Sequence, residues 1–221
     1  VLNVRNLTVR IGELTILRAL SLDVDAGATL GLVGRNGAGK TTTLRSIMGL
    51  VPASGEVLVD GHDLGRLPAH RRGALGIGYL PEDRRLVSTL SVQDNLLVPA
   101  WAQGWKDTPE RMRVVRELLP EVAALLPRRA SGLSGGQQKL VALARALVCA
   151  RRLLLLDEPM EGVSPALSAR MAGVVRAFQE REPDLAVLVA ESDLNRARLL
   201  TDRMLTIERG EVAPPGAPAS P

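Results

Sequence analysis

The chain has 221 residues, 46% of them apolar, with a formal charge of +4 and a pI near 9.9, a length that suits one medium domain, or a domain with a subdomain, around a sizeable core. Trp101, Trp105, Tyr79 and Phe178 are its only aromatic residues, so that core must be aliphatic. The single Cys149 excludes an intrachain disulfide and a cysteine-based metal cluster, and the arginine pairs (Arg71-Arg72, Arg84-Arg85, Arg128-Arg129, Arg151-Arg152) are too scattered to form a nucleic-acid stripe.

Residues 2–9 and 20–24 alternate apolar and polar, as half-buried strands do. Residues 28–33 predict a short buried strand, and residues 42–50 a helix. Between them Gly34, Arg35, Asn36, Gly37, Ala38, Gly39, Lys40 and Thr41 fit the spacing G-x-x-x-x-G-K-[ST]. Glycines let the backbone curl until several N–H groups point at one anion, and the helix that begins at Thr42 adds its positive end. Lys40 places a charge on outer phosphates, and the Thr41 hydroxyl is suited to a Mg²⁺ ion. The other reading, a glycine-rich turn with an accidental lysine, is weak, because the chain has only Lys40, Lys106 and Lys139. Strand, loop and helix together predict nucleoside triphosphate binding.

Residues 55–60 predict another strand, completing an antiparallel sheet beside this loop, and residues 76–80 a short strand ended by Pro81. From Ser91 to about Leu126 the texture becomes helical. Ser91 and Asp94 form a capping pattern, and Met112, Val115, Leu118, Leu119, Val122 and Leu125 predict a helix over 110–126. Residues 135–150 form a further helix with Leu140, Leu143, Ala144 and Leu147 on one face. Then come a strand at 153–156, a helix at 165–181, a strand at 185–190, a helix at 194–200 and a hairpin over 204–212 turning at Arg209-Gly210. Such alternation predicts a mainly parallel sheet. Residues 213–221, rich in Pro and Ala, are expected to be disordered. No internal repeat, signal segment or membrane-length apolar run is present, so a soluble intracellular protein is expected.

Two further stretches carry chemistry. The apolar run 153–156 ends in Asp157 and Glu158, which puts two carboxylates at the carboxyl edge of the sheet, where ligands of α/β folds sit. Asp157 is suited to hold Mg²⁺, and Glu158 to orient or deprotonate an attacking water. Ser134 is a good N-cap, and Gly135 and Gly136 leave bare N–H groups at that helix end, next to Gln137.

Leu133, Ser134, Gly135, Gly136 and Gln137 spell the signature sequence of ATP-binding cassette (ABC) proteins. With both nucleotide motifs in this order, the chain resembles that family over about residues 1–212. The resemblance implies an α/β phosphate-loop NTPase of ABC type. Its mainly parallel core sheet is joined by an N-terminal antiparallel β subdomain and a helical subdomain inserted at about 88–150. It implies ATP and Mg²⁺ as cofactors, with Thr41, Asp157 and Glu82 at the metal and Glu158 as the base. It further implies head-to-tail pairing with a second ATPase subunit, identical or a paralogue. In such a pair, residues 134–137 of one chain contact the γ-phosphate held by the other.

A finer resemblance is carried by Pro81, Glu82, Arg84 and Arg85, by residues 90–96 and by residues 157–165, which look like the ATPase subunits of branched-chain amino-acid uptake transporters. Most cassettes carry glutamine at the position of Glu82. The implied partners are integral membrane permease subunits and a separate solute-binding protein, and the implied place is the cytoplasmic face of the cell membrane. The solute would be a branched-chain amino acid or a related polar solute, urea or an amide, and no nucleic acid is expected. Three positions depart from the commoner pattern. Ile11 stands where an aromatic residue stacks on adenine, Ser192 where a histidine touches the γ-phosphate, and Ser164 where many cassettes have aspartate. For Ser164, a helix cap before Pro165 is an equal reading. Two alternatives are a non-transport cassette acting on nucleic acid or ribosomes, and a weakly hydrolysing regulatory module suggested by Ile11 and Ser192.

Overall fold

The computed structural model describes residues 1–212, and the tail expected at 213–221 lies outside them. Strands β1 (Leu2–Ile11) and β2 (Leu14–Val24) form an antiparallel hairpin that buries Leu2, Val4, Leu7, Val9, Leu17, Leu20, Leu22 and Val24. β2 begins well before the expected residue 20. Asn6 (φ 51°) and Ala19 (φ 50°) take left-handed conformations and the register between the strands is irregular, which breaks the alternation that would have marked β2 in full. The irregularity keeps its hydrogen bonds: the Asn6 N–H donates to Ser21 Oγ (3.0 Å) and the Ala19 N–H to Thr8 Oγ1 (3.1 Å).

From β3 (Thr29–Val33) the chain enters helix α1 (Lys40–Ile47), then adds β4 (Ser54–Val59) and β5 (His62–Asp63) to the first sheet, whose order is β2-β1-β4-β5. The short helix α2 (Ala69–Arg72) ends in the buried Arg72, whose Nη1 donates to the carbonyls of Ser46 and Ile47 at the end of α1. Strand β6 (Ile77–Leu80) leads to α3 (Val92–Gln103), α4 (Thr108–Leu118), α5 (Pro120–Ala123) and α6 (Gly135–Cys149). The helix expected over 110–126 is therefore two helices. Leu119 sits at φ −128°, ψ 66°, because Pro120 disfavours helical geometry in the residue before it. Met112, Val115, Leu119, Val122 and Leu125 are nonetheless buried and Leu118 is half-buried, so the apolar spacing marked the inward face.

The chain closes with β7 (Leu153–Asp157), α7 (Pro165–Arg181), β8 (Ala186–Glu191), α8 (Leu194–Arg198), β9 (Met204–Glu208) and β10 (Glu211–Val212). The second sheet runs β10-β9-β3-β8-β7-β6; its strands are parallel except for β10, which is antiparallel to β9. Successive residues of β7 and β8 serve opposite cores. Leu154, Leu156, Val187 and Val189 pack on the side of α3, α4, α6 and α7. Leu153, Leu155, Ala186, Leu188 and Ala190 pack with β1, β2 and α1. Burial on both faces is why these strands read as continuous apolar runs. Asp157 lies opposite Ala190 and Val33 opposite Glu191, so the ends of three strands meet at one edge.

Candidate active site

The loop leaving β3 is shaped by its glycines. A Cβ on Gly34 would lie 2.3 Å from the Ile207 carbonyl oxygen of β9, and Gly39, the cap of α1, has φ 112°. Lys40 is 4% exposed. Its Nζ donates to the carbonyls of Gly34 (2.7 Å) and Arg35 (3.1 Å) and pairs with Glu158 Oε1 at 3.1 Å. Thr41 Oγ1 donates to Asp157 Oδ1 (2.9 Å), and the Tyr79 hydroxyl donates to Asp157 Oδ2 (3.3 Å). Asp157 is fully buried. Burial raises its pKa despite these donors, and the charge of Glu82 adds to the rise. A cleft of about 420 Å³ gathers Lys40, Thr41, Thr42, Glu82 and Glu158, with Ile16 on its wall. A second cavity of about 480 Å³ runs along residues 34–38 to Ser192.

Glu158 holds its position under strain, with a left-handed backbone at φ 45°. Its N–H donates to the Ala190 carbonyl (2.9 Å), and its own carbonyl accepts from the buried Lys139 Nζ of α6 (2.6 Å). Glu158 Oε2 accepts both the Ser192 N–H and the Ser192 hydroxyl, each at 3.1 Å. Burial opposes ionisation here, yet hydrogen bonds from Glu191, Lys40 and Ser192 hold the Glu158 pKa below its ordinary value. Glu191 behaves in the opposite way. It is fully buried, and burial together with the adjacent Glu158 pushes its pKa up to about 8. Glu191 Oε1 accepts the Met160 N–H (3.0 Å), while Oε2 has no donor among the described residues. The group beside it is another carboxylate, so a hydrogen bond between the two requires a proton on one of them.

The other sequence-derived residues fall in distinct places. Ser192 grips Glu158 from the edge of the second cavity. Ile11 is 58% exposed and lines neither cavity; the aliphatic residue on the cleft wall is Ile16. Ser134 and Gln137 close a capping box on α6: Ser134 N–H donates to Gln137 Oε1 (3.0 Å) and Gln137 N–H to Ser134 Oγ (3.3 Å). Neither they nor Gly135 and Gly136 line the cleft of their own chain. Ser164 caps α7 through the Leu167 N–H (3.3 Å). The turn after β6 contains two left-handed residues, Arg84 and Arg85, whose carbonyls accept from Arg145 of α6. Arg84 Nη1 reaches Gln138 Oε1 (3.1 Å) on the same helix.

Reading the sequence missed Tyr79, Lys139 and Glu191. Glu191 had a usable signal: like Asp157 it directly follows an apolar strand run at the carboxyl edge. Among the described residues no cluster of His, Cys, Asp and Glu suits a metal. A cation here would be held by hydroxyl, carboxylate, phosphate and water oxygens, the donor set of a hard dication that keeps part of its hydration shell. Thr41, Asp157 and Glu82 fit that chemistry.

A phosphate-type loop, edge carboxylates and a separate capped helix on a parallel sheet define a phosphate-loop ATPase. Residues 17–161 match the ABC transporter family. The chain is 33% identical to the probable branched-chain amino acid transport ATP-binding protein LivF of Archaeoglobus fulgidus, over 91% of this chain and 85% of that protein. It is 32% identical to the lipopolysaccharide export system ATP-binding protein LptB of Escherichia coli K12, over 92% and 85%. The dimeric structure of MJ0796, a bacterial ABC transporter cassette, superposes with a TM-score of 0.83 at 25% identity, covering 96% of both chains. The chain belongs to the ABC transporter family, as the ATPase of such a transporter. Among the described residues, no helix is long and apolar enough to cross a membrane.

Proposed function

We propose that this ATPase hydrolyses Mg²⁺-ATP in the cleft between residues 34–41 and Glu158, and thereby powers uptake of a branched-chain amino acid or a related polar solute such as urea or an amide. The observation that carries the hydrolytic part is the pairing of two loop residues with the two edge carboxylates: Lys40 with Glu158 at 3.1 Å and Thr41 with Asp157 at 2.9 Å. Residues 34–39 offer backbone N–H groups and Lys40 its ammonium to the phosphates. Thr41, Asp157 and Glu82 would hold Mg²⁺, which supplies charge neutralisation at the phosphates. Glu158, kept ionised by Lys40 and Ser192, accepts a proton from the attacking water.

Residues 134–137 present a capped helix end with no phosphate loop of their own chain in front of it. That supports head-to-tail pairing with a second cassette, identical or a paralogue, whose nucleotide they would contact. The helical segment at about 88–150 then acts as the inserted subdomain carrying that contact. In this reading the pair sits on the cytoplasmic face of permease subunits served by a separate solute-binding protein. Uptake is supported by Pro81, Glu82, Arg84 and Arg85, and by similarity to LivF and to BraG of Pseudomonas aeruginosa, a high-affinity branched-chain amino acid transport protein 34% identical over 91% of this chain. The similarity to LptB favours a second reading, export of a lipid-linked polymer.

Glu158→Gln is expected to bind ATP, trap a closed dimer and lose about 10²-fold or more in hydrolysis; hydrolysis at the wild-type rate would place the base elsewhere. Co-purification with permease subunits and stimulation of ATPase by leucine and a solute-binding protein in vesicles tests the solute. Stimulation by lipopolysaccharide instead would replace uptake with export.

A further inference from the structure

We propose that Glu191 is a positioning residue of the hydrolytic site, a neutral carboxylic acid that donates a hydrogen bond to Glu158 and fixes the turn carrying that carboxylate. This role presupposes that Glu158 activates the water.

The parallel register of β7 and β8 sets Asp157 opposite Ala190, so Glu158, one residue past β7, and Glu191, the last residue of β8, come next along adjacent strands. Two carboxylates in contact cannot both ionise at low cost. The donors decide which one keeps the proton. Glu158 accepts from the Ser192 N–H and hydroxyl and pairs with Lys40. Glu191, fully buried, has a single donor, the Met160 N–H at Oε1, and forms no ion pair among the described residues. The proton therefore belongs on Glu191 Oε2, the buried oxygen otherwise without a partner. The shift of Glu191 agrees with this: burial and the neighbouring Glu158 push it up to about 8. The charged groups that act on Glu191 are Glu158 at the end of β7, Arg196 on α8 and Lys139 on α6. Lys139 directs its ammonium to the Glu158 carbonyl, and Arg196 acts on Glu191 through its charge, without an ion pair among the described residues.

The arrangement makes one carboxyl group join two points of a strained turn. Oε1 holds the backbone of Met160, and the proposed proton on Oε2 links the carboxyl group to the side chain of Glu158, whose backbone is left-handed. Without it the turn keeps its anchor at Lys139, but the Glu158 side chain loses a lateral support.

Glutamine tests the role directly, since its carbonyl can accept from Met160 and its amide can donate to Glu158 without ionising. In the intact cassette, Glu191→Gln should keep kcat for ATP within about threefold. Glu191→Ala should lower kcat about 10²-fold with little change in KM. The wild type should lose kcat as pH rises through about 8, and Glu191→Gln should lack that limb. A protonated-carboxyl C=O stretch should be visible in the infrared spectrum of the wild type at neutral pH and absent from Glu191→Gln, whether or not the alanine variant folds. Absence of that band in the wild type, a glutamine variant as impaired as alanine, or an alanine variant with wild-type kcat would overturn the proposal. If Glu158→Gln hydrolyses at the wild-type rate while the infrared band persists, the base assignment fails and the neutral Glu191 stands.

Discussion

Arg111 offers the clearest measurement of how α6 is held. It is 7% exposed and reaches from α4 to the end of α6. Nε donates to the Val148 carbonyl (3.1 Å), Nη2 to those of Leu147 (3.3 Å) and Ala150, and Nη1 pairs with Glu182 at 2.9 Å, with the Phe178 ring 5.5 Å away. Three carbonyls at the negative end of a helix thus share one guanidinium. Replacing Arg111 by Met keeps the apolar stem and removes all four polar contacts. Each bond to a charged donor contributes about 1.5–3 kcal/mol before the desolvation of the guanidinium is subtracted. The net loss should be about 3–5 kcal/mol, the range for breaking a buried pair on one side. For a chain of this size that lowers Tm by roughly 10 °C. Arg111→Lys should recover less than half, because one ammonium cannot span three carbonyls. Calorimetry and urea unfolding give the numbers. A loss below about 1 kcal/mol for the Met variant would mean that water satisfies the helix end equally well, and the reasoning fails.

A second expectation follows from linkage. Glu191 is raised from 4.5 to about 8, so the stability it contributes is complete below pH 4.5 and is lost as pH rises through about 8. Over that window the wild type should lose about 4 kcal/mol relative to Glu191→Gln. Glu158 is shifted downward, so its contribution is complete above pH 4.5 and adds no slope there. Parallel urea midpoints for the two proteins from pH 5 to 8 would contradict this. For Gly34→Ala, the added Cβ meets the Ile207 carbonyl at 2.3 Å and the Ile207 side chain at 2.8 Å. ATP affinity should drop about tenfold or more with the fold intact by circular dichroism; unchanged affinity would show that the loop tolerates the shift.

What could be read from the sequence was what is local in the chain. The phosphate loop is eight consecutive residues, and its glycines serve the backbone they belong to. The capping of α6 by Ser134 lies within one turn, and the strand run ending in Asp157 and Glu158 is contiguous. What escaped were features decided across the chain. The first half of β2 was hidden because Ala19 breaks the alternation to match an irregularity at Asn6. Pro120 was visible, but the apolar spacing around it reported burial rather than continuity of the helix. Glu191 went unread, because it is the register of β8 against β7 that brings it next to Glu158. For Ser192 the sequence offered only its match to a phosphate-touching position; that its hydroxyl donates to Glu158 needed the fold.

The place of β3 has a consequence for the order in which the protein is made. Its two neighbours in the sheet are β8 and β9, at residues 186–191 and 204–208, near the end of the described chain. During synthesis the strand that launches the phosphate loop emerges early, yet both its edges stay open until the last parallel strands have left the ribosome. Through that interval an apolar strand waits beside a finished hairpin. A nascent chain stopped before residue 186 would therefore display a correct nucleotide motif with no β8 or β9 to hold it. Such fragments should be captured by chaperones rather than by ATP.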